Sequence, residues 1–398
     1  VTNLEAASFS AKGDGKTDDT SALAAAMDAF CNELASGPAS LHFPAGQYIS
    51  ETAFSPPAGW SGGRGAIFGD GATATEFLFK NPTNGFDFGL SVGPYPFLNA
   101  MEIRDLGIMA GAACGLPINL DYGTANGTAA ETNRGCSVKG VSIGVLLKGE
   151  YAQVTLGAGW TGGPRFNVCC HLTLEDLFIY GAGNLATETV PTSGPGSGNA
   201  MQFLSCVNGQ YDNITLAQWN LPILLGNAGN GLTDCQGLMF TKIRGVGMGS
   251  LFKMIGTQSQ FPNGLAGCSV NDYMLDNGYS GDFYQGGIDV EYGSDIKIDG
   301  GWMQSGSNNS APMLRLSGCT GIRVAKSKMY CGYDLPVVLI TNGNASSFVE
   351  DENTIYGSQI ALQIDKGCPT NKIERQGIGV SAAGINPIVN NEPSTIFT

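Results

Sequence analysis

Thirty-four acidic residues and only two histidines set the chemistry open to this chain. Cleaving a glycosidic bond takes two carboxyl groups, one to protonate the leaving oxygen and one to act as base or nucleophile. The segment Gly287-Ile-Asp-Val-Glu-Tyr-Gly293 offers such a pair. Alternation points Ile288 and Val290 inward and places Asp289 and Glu291 outward on one strand, about 7 Å apart along the chain. Their oxygens can then span either the ~5.5 Å of a retaining pair or the ~6.5–9.5 Å of an inverting one. Asp272 and Asp276 flank a corner in residues 271–277, and Asp282 sits in the loop 278–285. Tyr279, Phe283, Tyr284, Tyr292 and Trp302 fall in the same stretch, and aromatic faces with polar tips suit sugar rings.

The elements that must position these residues follow from a period. The pattern apolar, any, apolar, two turn-like residues, apolar or Gly, any, apolar occurs at Met101–Ile108 and Leu172–Ile179, and again at Cys268–Leu275, Ile296–Met303 and Ile322–Met329. Weaker copies sit near Val138, Tyr211, Phe240, Val349 and Ile373. The residue before each turn falls at 103, 138, 174, 211, 240, 270, 298, 324, 349 and 373, at intervals that shrink from about 36 to 24. Apolar–polar alternation predicts short strands with one buried face. A second strand set falls between the anchors, at 287–293, 313–316, 337–340 and 360–364. Each repeat thus supplies about three strands and three turns, one coil of a parallel β-helix. The fold class expected is all-β, a right-handed parallel β-helix of about ten coils with an N-terminal capping helix. Stacking equivalent strands puts Lys253 below Asp289 and Arg315 above it. Such a column can hold Asp289 as an anion and leave Glu291 as the acid; the alternative is a solvated charge ladder.

Composition narrows the partners. Twenty basic against 34 acidic residues give a net charge of −14, which disfavours nucleic acid and anionic membrane surfaces. No apolar run approaches the ~18 residues of a membrane span. The 59 glycines are assigned to coil corners. The eleven cysteines form no CxxC pairs, so they are expected to be reduced, buried thiols, consistent with folding in a reducing cytoplasm. His42 and His171 are isolated, so no metal site or cofactor is expected. Leu23, Met27, Phe30 and Leu34 form a helical stripe behind Asp18, Asp19 and Thr20, any of which can cap its N-terminus. The chain divides into a cap with first coils at 1–80, the β-helix at 81–380 and a C-terminal tail at 381–398.

Residues Ala11-Lys-Gly-Asp-Gly-Lys-Thr-Asp-Asp-Thr20, Leu41-His-Phe-Pro-Ala-Gly-Gln-Tyr48 and Gly69-Asp-Gly71 resemble the opening of the pectate-lyase-like right-handed β-helix superfamily, which includes bacteriophage tailspikes. The resemblance covers the first ~75 residues by motif and the rest by coil period. It implies an elongated protein that handles polysaccharide along its side and, for a tailspike, a homotrimer in the virion folded in the host cytoplasm; a secreted bacterial protein is the alternative location. It does not imply polygalacturonase activity, because the Asn-Thr-Asp, paired-Asp and Gly-His-Gly motifs are absent from the coil region. The function expected is an endo-glycosidase that hydrolyses a bacterial capsule or O-antigen. Asp289, Glu291, Asp272, Asp276 and Asp282 are the candidate acids, and Lys253, Arg315, Tyr279, Tyr284, Tyr292 and Trp302 the candidate binding residues. The alternatives are a β-eliminating lyase, in which Lys253 and Arg315 neutralise a uronate, and a non-catalytic adhesin.

Overall fold

The computed structural model describes the chain except residues 1, 59, 61, 90–99, 122–134, 146–157, 182–192, 229–232, 258–263, 278–285, 306–310, 333–334, 351, 358 and 381–385. Each coil contributes strands to three ladders, and every strand pairs in parallel with its counterpart in the next coil. In the first ladder the ten anchors form one column. Ile103, Val138, Leu174, Tyr211, Phe240, Val270, Ile298, Val324, Val349 and Ile373 are successive register partners. The column runs on through Leu4, Leu41 and Ile67 at one end and Phe397 at the other. Strands Ile388–Asn390 and Ile396–Phe397 continue the ladders through the segment expected to be a tail. Strands of two or three residues are too short for alternation to betray them.

The first and second ladders meet at a corner carried by a single residue. In early coils one strand runs through it, as in Ala100–Ala110 and Ser269–Asn277; later it splits into pairs such as Lys297–Asp299 and Trp302–Ser305. Asp105, Asp176, Asn213, Lys242, Asp272 and Lys326 occupy this corner with φ between 48° and 57°. Most of these left-handed positions are therefore not glycine, contrary to the expectation for corners. Asp and Asn tolerate the conformation through local hydrogen bonds, and Asn213 donates to Asp176 at 2.6 Å. Glycine is needed instead where one coil's backbone crowds the next. A Cβ on Gly163 would lie 1.8 Å from the Ala200 carbonyl oxygen.

The third ladder has eleven strands, among them Phe252–Ile255, Ile288–Glu291 and Leu314–Ser317. Inward side chains of all three ladders merge into one apolar core. All eleven cysteines are buried and none is in a disulfide. Burial pushes the Cys268 thiol up to about 12 and those of Cys169 and Cys235 well above their usual range, so they act as small apolar fillers.

The N-terminal end is covered by α1 (Thr20–Ser36), whose Leu23, Met27, Phe30 and Leu34 are buried. Asp18 accepts from the Thr20 backbone N–H at 3.0 Å, whereas Asp19 turns its buried carboxylate back to the N–H groups of Lys12 (2.7 Å) and Gly13 (3.3 Å). One acid thus caps the helix and the other pins the preceding turn. His42 lies between Glu5 (2.9 Å) and Asp70 (2.8 Å) and stacks on Phe68. Burial opposes its charge, but hydrogen bonds with Asp70 and Glu5 outweigh that and raise its pKa.

Candidate functional site

The third ladder reproduces the column expected from the repeat. Lys253 pairs in register with Asp289, and Asp289 with Arg315. Ile288 and Val290 are buried, which turns Asp289 and Glu291 outward side by side. Arg315 grips both acids. Its Nε and Nη2 donate to the two oxygens of Asp289 at 2.8 and 2.7 Å, and Nη2 also donates to Glu291 Oε1. A two-pronged guanidinium–carboxylate fork is the stronger, orientation-fixing form of ion pair. The hydrogen bond to Asp289 leads the causes that raise the Arg315 pKa. Because one nitrogen contacts an oxygen of each acid, Asp289 and Glu291 are held side by side as a close carboxylate pair. Lys253, one coil away, has no ionic partner among the described residues.

The other expected residues scatter. Asp272 is the left-handed corner residue between the first and second ladders, held by Arg244 through its side chain at 2.9 Å and through its carbonyl. Asp276 and Trp302 lie on the second ladder, where Asp276 pairs with Gln304 and Met274 with Trp302. Tyr292 turns the corner after Glu291 with φ 53°, and its hydroxyl accepts from Asn342 at 3.2 Å. Asp282, Tyr279 and Tyr284, with Phe283, lie outside the described residues. Nearness in sequence therefore misled: one coil visits every face of the solenoid in about 28 residues. The acids at 289 and 291 belong to one face and the aromatic at 302 to another.

Residues 4–79 match the family described as rhamnogalacturonase A/epimerase, pectate lyase-like. Among solved structures, DFA-IIIase from Arthrobacter chlorophenolicus A6, without its lid and in complex with GF2, superposes with a TM-score of 0.59 at 12% identity, covering 97% of this chain and 98% of that one. The A-module of the Azotobacter vinelandii mannuronan C-5 epimerase AlgE6 gives 0.51 at 15% identity, over 99% of this chain and 98% of that one. The fold is a parallel β-helix, and the pectate-lyase-like match covers its first coils. Among curated protein sequences none matches this chain.

Two groups of this β-helix escaped the sequence reading. Nearer the N-terminus, the same outward columns of the third ladder carry Asp87, Asn119, Asp121, Arg165 and Asn167. Asn119 donates to Asp87 at 2.7 Å, Arg165 to Asn119 at 3.0 Å, and Asn167 to Asp121 at 2.8 Å. On the second ladder, Gln304, Lys328 and Tyr330 surround Trp302. They stand four and six places after the anchors Ile298 and Val324, so the period itself contained the signal.

Proposed function

We propose that this chain is a polysaccharide-cleaving enzyme, an endo-acting depolymerase of bacterial surface glycans, with its reaction centre at Asp289 and Glu291. The observation that supports this reading is the Arg315 bridge, which holds two outward carboxylates against one guanidinium, and a close carboxylate pair is what a retaining glycosidase uses. Likeness to a family named for rhamnogalacturonase and to a mannuronan epimerase supports a carbohydrate substrate. Asp289 attacks the anomeric carbon while the bond to the leaving oxygen breaks and Glu291 gives that oxygen a proton. Water, deprotonated by Glu291, then releases the sugar from Asp289. To do this Glu291 must first take a proton from solvent, which requires that substrate displace its contact with Arg315. Asp272 and Asp276, on other faces, take no part in this step. A tailspike setting, with trimeric assembly in a virion, is the context we propose from the N-terminal motifs, and sedimentation tests it: a lone ~41 kDa species contradicts the trimer.

The experiment uses purified full-length protein with a panel of capsular, O-antigen and uronate polysaccharides. Shortened chains whose first product keeps its anomeric configuration support the reading. Asp289→Asn and Glu291→Gln should each lower turnover by about 10²–10⁴-fold. A second reading is favoured by Lys253, a cation beside Asp289 without an ionic partner among the described residues, which can neutralise a uronate for β-elimination. Its product absorbs near about 235 nm because elimination leaves a double bond, whereas hydrolysis leaves none. Tight binding with unchanged chain length would instead identify an adhesin.

A further inference from the structure

The second ladder carries a shallow groove of about 520 Å³, lined by Trp302, Gln304, Lys328 and Tyr330. Two adjacent coils build it, with Trp302 paired to Lys328 and Gln304 to Tyr330. None of these four side chains has a hydrogen-bond or ionic partner among the described residues. That sets the groove apart from its surroundings. On the first ladder lysines pair with neighbouring acids, as in Lys139–Glu175 (3.1 Å), Lys297–Asp299 (2.8 Å) and Lys372–Glu350 (3.2 Å). On the third ladder Arg315 is consumed by Asp289 and Glu291. An indole N–H, an amide, an ammonium and a phenol facing one groove without protein partners form a set ready for an external polar ligand.

We propose that this groove is a second glycan site, separate from the third ladder, that binds an acidic polysaccharide lying along the solenoid axis. Trp302 and Tyr330, with exposed Tyr356 on the next coil, present ring faces to the apolar faces of sugar rings. Successive coils are ~4.8 Å apart, close to the length of one sugar in an extended chain, so a polymer meets an aromatic at each step. Gln304 serves hydroxyls and Lys328 takes a carboxylate. Asp276 lies beside Gln304 in register, one coil before it and two before Lys328, which puts the acidic sugar at the Lys328 end. The site shares its ligand class with the proposed reaction centre but none of its residues, so it can hold the polymer while another stretch of it is cleaved.

Affinity electrophoresis of full-length protein carrying Asp289→Asn, in gels cast with polygalacturonate or with neutral dextran, tests the proposal. Retardation is expected in polygalacturonate. Trp302→Ala should weaken it about tenfold or more, Trp302→Phe should keep most of it, and Lys328→Ala should remove its salt dependence. Melting curves confirm that the variants fold. Absence of retardation overturns the proposal. So does loss of retardation with Lys253→Ala but not with Trp302→Ala, a result that leaves the proposed reaction centre standing. Sedimentation supplies a further control: an oligomer that Trp302→Ala dissociates would make this face a contact between copies, and the proposal would fail.

Discussion

Removing Arg315 isolates what holds the two carboxylates together. Arg315→Met keeps much of the side chain's length and apolar stem but leaves Asp289 and Glu291 as neighbouring like charges, at about 5 Å when they hold the spacing of a retaining pair. Two like charges at that distance repel by about 3 kcal/mol at an effective dielectric of 20 and by under about 1 kcal/mol in water. The Asp289 and Glu291 side chains are 27% and 25% exposed, so solvent screening places the cost between these limits, at about 1–3 kcal/mol. A solenoid of this length need not unfold in one step, so the readout has to be local. Amide exchange in peptides spanning residues 288–291 and 314–317 should quicken by roughly 5- to 150-fold. Adding Asp289→Asn to Arg315→Met should recover most of the protection, because the repulsion then disappears. If Arg315→Met exchanges like the parent, or if Asp289→Asn worsens the loss, the two carboxylates are not coupled through Arg315 and the argument for a retaining spacing falls with them.

Other expectations follow from the same structure. The raised pKa of His42 means that its contribution to the cap is complete below the ordinary histidine value of about 6.5 and is lost as pH rises through the folded value. Proteolysis at residues 2–5 should therefore accelerate as pH rises from about 6.5 through the raised folded value, and His42→Gln should flatten that dependence. Gly163→Ala should cost more than about 3 kcal/mol, seen as loss of soluble protein, because its Cβ meets the backbone oxygen of Ala200 at 1.8 Å while the Gly163 N–H is held to the Asn199 carbonyl at 2.8 Å. All eleven thiols should stay silent to an aromatic disulfide reagent until denaturant is added; reaction of Cys169 or Cys235 in the native state would contradict their burial.

Much of the fold was legible because a solenoid converts sequence period directly into spatial stacking. The anchors from Ile103 to Ile373 align without a slip, and the Lys253–Asp289–Arg315 column follows from the same register. Each end hid its coils differently. At the start, α1 interrupts the spacing that links Leu4 to Leu41, and at the finish the strands shrink to two or three residues. The site was only half legible. Outward-facing acids can be read from alternation, but the face they share depends on where a left-handed residue such as Asp272 bends the coil. Left-handed residues at Tyr292, Asp295 and Gly300 bend the chain between Asp289 and Trp302 and put them on different faces although only thirteen positions divide them. The groove around Trp302 was half legible too: the period places Trp302, Gln304, Lys328 and Tyr330 on one face, but that they have no partners among the described residues is a property of packing that no spacing encodes.

The central claim is that the Asp289–Glu291 pair cleaves glycan on the third ladder. Its most direct test compares polysaccharide chain length after incubation with the parent protein and with the Asp289→Asn, Glu291→Gln double variant. Shortened chains with the parent and intact chains with an equally folded double variant are predicted. Equal shortening by both proteins would contradict the claim and move the chemistry to another face of the solenoid.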